Sequence, residues 1–293
     1  MNHPHIAFGT PRRLPKASQL AGRVAVLDIA FAAGVGGASF ERTTKPFIDG
    51  LGARLAVWID HHDHVLHQAF ADDPRFILRT KAEHGACPEM ITPERVEAAG
   101  PIDTICCHGD FDGLCSAAKW IRGGYEPYEG ADQDARAIDT RLGRPSERAA
   151  IVDRALRAKP GDAALGGLVV RFLAGGAEDR ALFREIEEIS AALRPREDEA
   201  RRYAQSYEIS GDVAFVQLPN DHAPYDKTLL LMMGQERARI SVVSDRSAVT
   251  VAARFDSGVN LLEVFGLEGG MPTVVSFPER RLPYVLAKLG FGD

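Results

Sequence analysis

Residues 55–62 read Leu55-Ala56-Val57-Trp58-Ile59-Asp60-His61-His62. The apolar run from Leu55 to Ile59 predicts a short strand that is buried on both faces. The strand ends on one carboxylate and two adjacent imidazoles. Ligands of open α/β sheets bind beyond the carboxyl ends of the strands, where acids and histidines suit a divalent metal or a phosphate. Taken alone, this segment is equally consistent with a solvated turn that is rich in histidine.

A second apolar strand also ends on an acid: Arg23-Val24-Ala25-Val26-Leu27-Asp28. The residues before it, Met1 to Gly22, predict a loosely ordered lead-in. A flexible loop at Gly34, Gly36 and Gly37 and a helix around Phe47 and Leu51 then lead to the strand of residues 55–60. Because strand–helix–strand crossovers are right-handed, the two strands are expected to be parallel, with Asp28 and Asp60 at one edge of the sheet.

A third cluster follows the apolar strand of residues 102–107, in the segment His108-Gly109-Asp110-Phe111-Asp112-Gly113. An extended backbone would direct the alternating His108, Asp110 and Asp112 to one side. Residues 114–120 predict a helix, whose N-terminal N–H groups suit a phosphate oxygen. The alternative is a calcium-type turn. No Glu follows at the distance that such a loop requires, and histidine is a poor calcium ligand, so a metal or phosphate site is favoured.

Composition limits the classes of function. The 293 residues are enough for two domains, and the formal charge of −6 comes without a basic stripe. A small phosphate substrate fits this balance better than a long nucleic acid, and no apolar run is long enough to cross a bilayer. The four cysteines, Cys87, Cys106, Cys107 and Cys115, form no Cys-x-x-Cys pair, which favours a reducing, cytoplasmic setting.

The C-terminal part predicts a second, smaller α/β domain. An amphipathic helical pattern extends from Leu173 to Glu199, and the charged run of residues 194–200 predicts a domain boundary. Short apolar strands follow, over residues 213–218, 240–243, 249–255 and 273–277. Arg246 suits a phosphate or carboxylate, although a surface arginine is nearly as good an interpretation. Gly269-Gly270 offers unobstructed N–H groups to a phosphate, or forms only a turn.

These motifs together resemble the DHH phosphoesterase superfamily. The resemblance covers Asp28, Asp60-His61-His62 and the His108–Gly113 segment, and it extends to residues 242–247 and 269–272. It implies an α/β protein with a mostly parallel sheet in a metal-binding DHH-type domain, residues 1–195. A smaller α/β, DHH-associated domain that binds substrate would occupy residues 196–293.

The sequence departs from the family pattern in two respects. The His108–Gly113 segment, which usually comes first, follows the other two motifs, so the domain resembles a circular permutation. Met271 stands where the C-terminal glycine motif usually carries a histidine. In addition, the last metal-binding aspartate of the family is best matched by Asp139, which could instead cap a helix that starts near Pro145.

The resemblance also implies roles for individual residues. His108 and Asp110 would bind one divalent ion, while His61, Asp112 and Asp139 would bind a second, with Asp28 bridging the two. The ions would be of the manganese type, with Mg²⁺ or Co²⁺ as alternatives. His62 would act at the substrate. Asp60 would orient His62 or bind an ion weakly. The predicted substrate contacts are Arg246, Ser247, Gly269 and Gly270.

The resulting functional expectation is a two-metal phosphoesterase that hydrolyses short oligonucleotides or a linear or cyclic dinucleotide. The alternatives are an exopolyphosphatase or inorganic pyrophosphatase, which Met271 favours, and a nucleotide-binding protein without catalysis. We expect neither long duplex nucleic acid nor a membrane as a partner. A homodimer is compatible with the sequence.

Overall fold

The computed structural model describes residues 3–33 and 38–292, and the chain divides into two units, Met1–Ala191 and Ala192–Asp293. The boundary expected after residue 195 falls inside a helix of the second unit, Arg194–Tyr203. The predicted loop at Gly34, Gly36 and Gly37 lies outside the described residues.

The strands of the first unit are β1 (His5–Phe8), β2 (Val24–Leu27), β3 (Leu55–Asp60), β4 (Asp63–His64), β5 (Phe76–Leu78) and β6 (Thr104–Cys107). Five of them form a sheet in the order β1-β6-β2-β3-β5. Every pairing in this sheet is parallel. The three strands predicted from the sequence, β2, β3 and β6, are therefore its adjacent central strands, and their carboxyl ends meet at one edge.

Two strands of this five-stranded sheet were not predicted. His5–Phe8 lies in the segment expected to be loosely ordered, but it pairs in parallel with β6, from His5 opposite Thr104 to Phe8 opposite Cys107. Phe76–Leu78 pairs with β3 at the other side of the sheet. Both strands lie at an edge of the sheet, and their sequences lack the apolar run of a central strand.

The helices of the first unit are α1 (Lys45–Leu51), α2 (Pro93–Ala99), α3 (Phe111–Ile121), α4 (Ala131–Thr140), α5 (Glu147–Ala158), α6 (Ala163–Ala174) and α7 (Arg180–Ala191). The amphipathic pattern from Leu173 to Glu199 is interrupted and does not form one helix. Gly176 adopts a left-handed φ of 84°. The Asp179 carboxylate then accepts the backbone N–H of Ala181 at 2.8 Å, which favours a new helix start at α7.

Both faces of the central strands are buried. Ala25 and Leu27 of β2 pack into one apolar cluster, while Val24 and Val26 pack into another on the opposite face. Trp58 of β3 is fully buried, and its indole N–H donates to the Ile29 carbonyl oxygen at 2.9 Å. Helices or loops therefore cover both faces, and the sheet holds the three central strand ends in a fixed relation.

The second unit contains α8 (Arg194–Tyr203), β7 (Glu208–Ser210), β8 (Val213–Gln217), α9 (Lys227–Gln235), β9 (Ile240–Ser244), β10 (Ala248–Ala253), α10 (Leu261–Phe265), β11 (Gly269–Gly270), β12 (Val274–Pro278) and α11 (Leu282–Lys288). Its sheet has the order β12-β10-β9-β8-β7, in which β8 and β9 are parallel and the other pairs are antiparallel. The predicted fold class is confirmed: a mostly parallel sheet and a second, smaller α/β unit.

The four cysteines are buried free thiols. Across residues 3–33 and 38–292, no helix combines the length and the apolar character that crossing a membrane requires.

The packing of Trp58 gives the first testable prediction. Trp58→Ala removes a fully buried indole and should lower the free energy of unfolding of the first unit by about 3–5 kcal/mol. Denaturant unfolding can be followed by the fluorescence of Trp120, the second tryptophan of the chain, which lies in the same unit. As a control, Val65→Ala changes a side chain that is 67% exposed and should shift the free energy by less than about 0.5 kcal/mol. A Trp58→Ala protein as stable as wild type would contradict the packing.

Candidate metal centre

Three neighbouring strand ends deliver the predicted residues to one place. Leu27 lies opposite both Ile59 and Cys107 in the parallel register. The next residues along the three strands are Asp28, Asp60 and His108. Since parallel strands point the same way, these residues leave the sheet at the same edge.

Asp28 lies at the middle of this edge. It is 1% exposed and its backbone adopts a left-handed φ of 58°, which an aspartate tolerates better than most residues. Its Oδ1 lies 3.2 Å from His61 Nε2, and its Oδ2 lies 4.0 Å from His108 Nδ1. Within the described part of the chain, neither carboxylate oxygen accepts a hydrogen bond. A buried carboxylate without donors is costly, and a bound cation would remove that cost.

Gly113 makes room for this carboxylate. A Cβ atom at position 113 would lie 2.6 Å from the His108 carbonyl oxygen and 3.0 Å from Asp28 Oδ2. Only glycine therefore allows the first turn of α3 to approach Asp28 so closely.

The adjacent imidazoles of His61 and His62 have different environments. His61 is fully buried, and its Nδ1 lies 2.9 Å from the His84 carbonyl oxygen. A carbonyl can only accept, so Nδ1 carries the proton and Nε2 faces the carboxylates. His62 is 18% exposed, and its Nδ1 lies 2.8 Å from Asp60 Oδ1. Burial raises the pKa of Asp60, but His62 outweighs it and the pKa is lowered, so Asp60 is an ionised partner that orients His62.

The backbone from His108 to Gly113 differs from the extended conformation expected from the sequence. It is not extended throughout, because β6 ends at Cys107 and α3 begins at Phe111. Asp110 caps α3 by accepting the Gly113 N–H at 3.3 Å, and its Oδ2 lies 2.7 Å from His108 Nδ1. Asp112 reaches the site from the first helical turn, where its Oδ2 lies 3.4 Å from His61 Nε2. A strand-to-helix turn therefore brings the three residues together.

Asp139 joins the site from α4, with Oδ2 3.6 Å from His61 Nε2. It does not cap the following helix, since Ser146 caps α5 by accepting the Ala149 N–H. A residue that was not predicted lies beside it. Lys81 is fully buried, its ammonium contacts the Asp139 carboxylate, and its Nζ lies 3.3 Å from His61 Nε2. Burial lowers the pKa of Lys81, against the opposing effect of the surrounding acids.

Lys81 gave no sequence signal because it follows the short strand β5, which was itself missed. The carboxyl end of β5 lies beside that of β3, so Lys81 enters the site from the same edge of the sheet. A prediction of β5 would have placed this lysine near the acids.

Three groups of side chains in the described chain could hold a metal ion, with ligand atoms within 4.8 Å of one another in each group. They are Asp28 with His61 and His62, Asp28 with His108 and Asp110, and His61 with Asp112 and Asp139. Mixed carboxylate and imidazole donors suit manganese and related divalent ions. Together with the unpaired oxygens of Asp28, this donor set fits a divalent cation.

The raised pKa values of Asp28, His61 and His108 reflect negative charge that is concentrated in a buried place. Burial raises the pKa of Asp28 well above its ordinary value, and Asp112 and Asp110 raise it further. Burial lowers the pKa of His108, but Asp110 and Asp28 more than reverse this and raise it to about 10. Asp112 and Asp28 likewise raise the pKa of His61 to about 10 in spite of its burial.

The predicted substrate contacts lie in the second unit. Arg246 and Ser247 follow β9 and are exposed, and the Ser247 N–H donates to Asp245 Oδ1 at 2.8 Å. Gly269 and Gly270 form β11, where Gly270 has a φ of 120° that favours glycine. Their contact with a substrate stays a prediction.

Comparison with known proteins gives distant structural likenesses. No protein-family model and no curated protein matches the chain. The pGpG-specific phosphodiesterase PggH from Vibrio cholrae is similar over 92% of this chain and 97% of its own, with 11% identity and a TM-score of 0.43. The exonuclease RecJ bound to manganese is similar over 92% of this chain and 75% of its own, with 13% identity and a TM-score of 0.48.

RecJ from Thermus thermophilus in complex with Mn²⁺ is similar over 98% of this chain, which spans 51% of that protein, with 12% identity and a TM-score of 0.49. All three likenesses are distant. At such identities and TM-scores, they assign no activity, substrate or metal to this chain.

Replacing Asp28 tests its place in the centre. Asp28→Asn keeps the shape of the side chain, and asparagine tolerates the left-handed backbone. The substitution removes the negative charge of the carboxylate, which burial, Asp112 and Asp110 all disfavour. We expect Mn²⁺ affinity to fall at least ~100-fold, while the midpoint of thermal unfolding without metal rises by about 2–4 °C, equivalent to ~1 kcal/mol. Calorimetric titration and thermal unfolding measure the two effects. Asp49→Asn, at an exposed acid, should change neither, and wild-type affinity in Asp28→Asn would contradict the role.

Metal binding should release protons. With a pKa of about 10, His108 is protonated at pH 8 in the metal-free protein, whereas a metal ligand must be a neutral imidazole. Each Mn²⁺ bound through His108 should therefore release about one proton at pH 8, and affinity should rise with pH up to about pH 10. Titration calorimetry in buffers of different ionisation enthalpy measures the number of protons released. A binding enthalpy that is independent of the buffer would contradict this.

Proposed function

We propose that this protein is a metal-dependent phosphoesterase that uses a manganese-type ion. The observation that carries the proposal is the buried Asp28 carboxylate, whose oxygens receive no hydrogen bond in the described chain and face imidazoles from two neighbouring strand ends. Such a site has the ligand atoms of a divalent-metal centre.

The ligands divide into two sets that share Asp28 as a neighbour. Asp28, His108 and Asp110 would hold one ion. His61, Asp112 and Asp139 are the ligands that the resemblance assigns to a second. When bound, a divalent ion supplies a Lewis acid for phosphoryl oxygens and lowers the pKa of a bound water. The carboxylates in these sets balance its charge in the buried site.

His62 is the best-placed residue to act on the substrate. Its Nδ1 proton is held by the ionised Asp60 at 2.8 Å, which fixes the ring and leaves Nε2 as the nitrogen available to a substrate. A protonated Nε2 would donate to a phosphate oxygen or to the leaving oxygen. Asp60 keeps the ring in this orientation.

Short oligonucleotides or dinucleotides, linear or cyclic, are the proposed substrates. The net charge of −6 and the absence of a basic stripe in the sequence favour a substrate with few phosphates. Arg246, Ser247, Gly269 and Gly270 are the proposed substrate contacts. Inorganic pyrophosphate or polyphosphate is the second candidate, favoured by Met271 at the position of the family histidine.

A substrate screen in the presence of Mn²⁺ tests the proposal. Dinucleotides, cyclic dinucleotides, short oligonucleotides, pyrophosphate and polyphosphate are incubated with the full chain, and released phosphate or mononucleotide is measured. We expect turnover of a nucleotide substrate that EDTA abolishes and Mn²⁺ restores. Turnover of pyrophosphate or polyphosphate alone would favour the second candidate. Tight nucleotide binding without turnover of any substrate would contradict the enzyme proposal.

His62→Gln separates catalysis from metal binding. We expect kcat to fall by about 10²–10⁴-fold, the usual contribution of a positioned acid, while Mn²⁺ affinity stays within a few-fold of wild type. Steady-state kinetics and metal titration measure both effects. His3→Gln, at an exposed histidine, serves as the control. A His62→Gln protein with wild-type kcat would remove His62 from the reaction.

A further inference from the structure

The Lys81 ammonium lies among the ligands that the second ion would need. Its Nζ is 3.3 Å from His61 Nε2 and it contacts the Asp139 carboxylate, and both of these residues belong to the group completed by Asp112. The lysine side chain is fully buried. A buried ammonium needs an acidic partner, and Asp139 provides it.

Lys81 occupies space that a second ion would need. The Nδ1 atom of His61 is committed to the His84 carbonyl oxygen at 2.9 Å, so Nε2 is the nitrogen directed at Asp112 and Asp139. The Lys81 Nζ lies 3.3 Å from this nitrogen and also contacts the Asp139 carboxylate. An ion bound by His61, Asp112 and Asp139 would have to displace the ammonium from these contacts.

The other ligand set has no such competitor. Over the described residues, the charged partners within 4.0 Å of Asp28 and Asp110 are imidazoles: His61, His62 and His108 for Asp28, and His108 for Asp110. The group of Asp28, His108 and Asp110 is therefore open to a divalent ion. The group of His61, Asp112 and Asp139 already has the Lys81 ammonium in contact with it.

We propose that Lys81 takes the place of the second metal ion, so that the protein binds one divalent ion, at Asp28, His108 and Asp110. The ammonium balances the charge of Asp112 and Asp139 and occupies the position beside His61 and Asp139 that the second ion would need. This inference rests on the proposed metal-dependent function, and it replaces the two-ion centre implied by the family resemblance with one ion and one lysine.

Counting bound Mn²⁺ by electron paramagnetic resonance tests the inference without any activity measurement. Metal-free full-length protein is titrated with Mn²⁺, and bound ions are quantified after removal of free metal. We expect one ion per chain in the wild type, with the spectrum of an isolated Mn²⁺. Lys81→Ala removes the ammonium and opens its volume, so we expect two ions per chain and the exchange-coupled spectrum of neighbouring ions.

Lys119→Ala is the matched control. Lys119 is also a buried lysine of the first unit, but its Nζ contacts Asp132 and the Pro88 carbonyl oxygen, so this variant should bind one ion as the wild type does. Circular dichroism establishes that each variant is folded. If Lys81→Ala does not fold, the number of Mn²⁺ ions bound per chain of the wild type tests the inference.

Two coupled ions in the wild type would overturn the inference and leave the metal-dependent function standing. No bound ion in the wild type would overturn both. A folded Lys81→Ala protein that still binds one ion would also overturn the inference, because the lysine would not be what excludes the second.

Discussion

The buried carboxylate of Asp28 is the constraint around which the first unit is built. It is almost fully buried, its backbone is left-handed, and its oxygens receive no hydrogen bond in the described part of the chain. Such a group destabilises the fold unless a cation compensates it. The sheet maintains this arrangement because β2 lies between β6 and β3, with both of its faces covered by apolar side chains.

The surrounding residues distribute the charge unevenly. Asp60 is committed to His62, and Lys81 contacts Asp139. Asp28, Asp110 and His108 are left with an excess of negative charge, which raises the pKa of His108 to about 10. The part of the site that the protein does not neutralise by itself is thus the part proposed to bind a metal, and the partly exposed His62 lies beside it.

Much of this arrangement could be predicted from sequence because the fold imposes it. Asp28, His61 and His108 each follow an apolar strand closely, and parallel neighbouring strands bring such residues to one edge. The sequence was less informative where backbone direction changes. Asp112 arrives on a helical turn, and Asp139 comes from a helix that only the family resemblance singled out. Lys81 follows a strand of three residues, Phe76–Leu78, too short to give a periodic signal.

The proposed function depends on a divalent ion bound by Asp28, His108 and Asp110 where β2 and β6 end. Anomalous diffraction at the manganese edge, from crystals grown with Mn²⁺, locates such an ion. We expect an anomalous peak within about 2.5 Å of a carboxylate oxygen of Asp28 and a ring nitrogen of His108. Crystals containing Mn²⁺ with no peak at these residues, or with a peak only elsewhere, would contradict it.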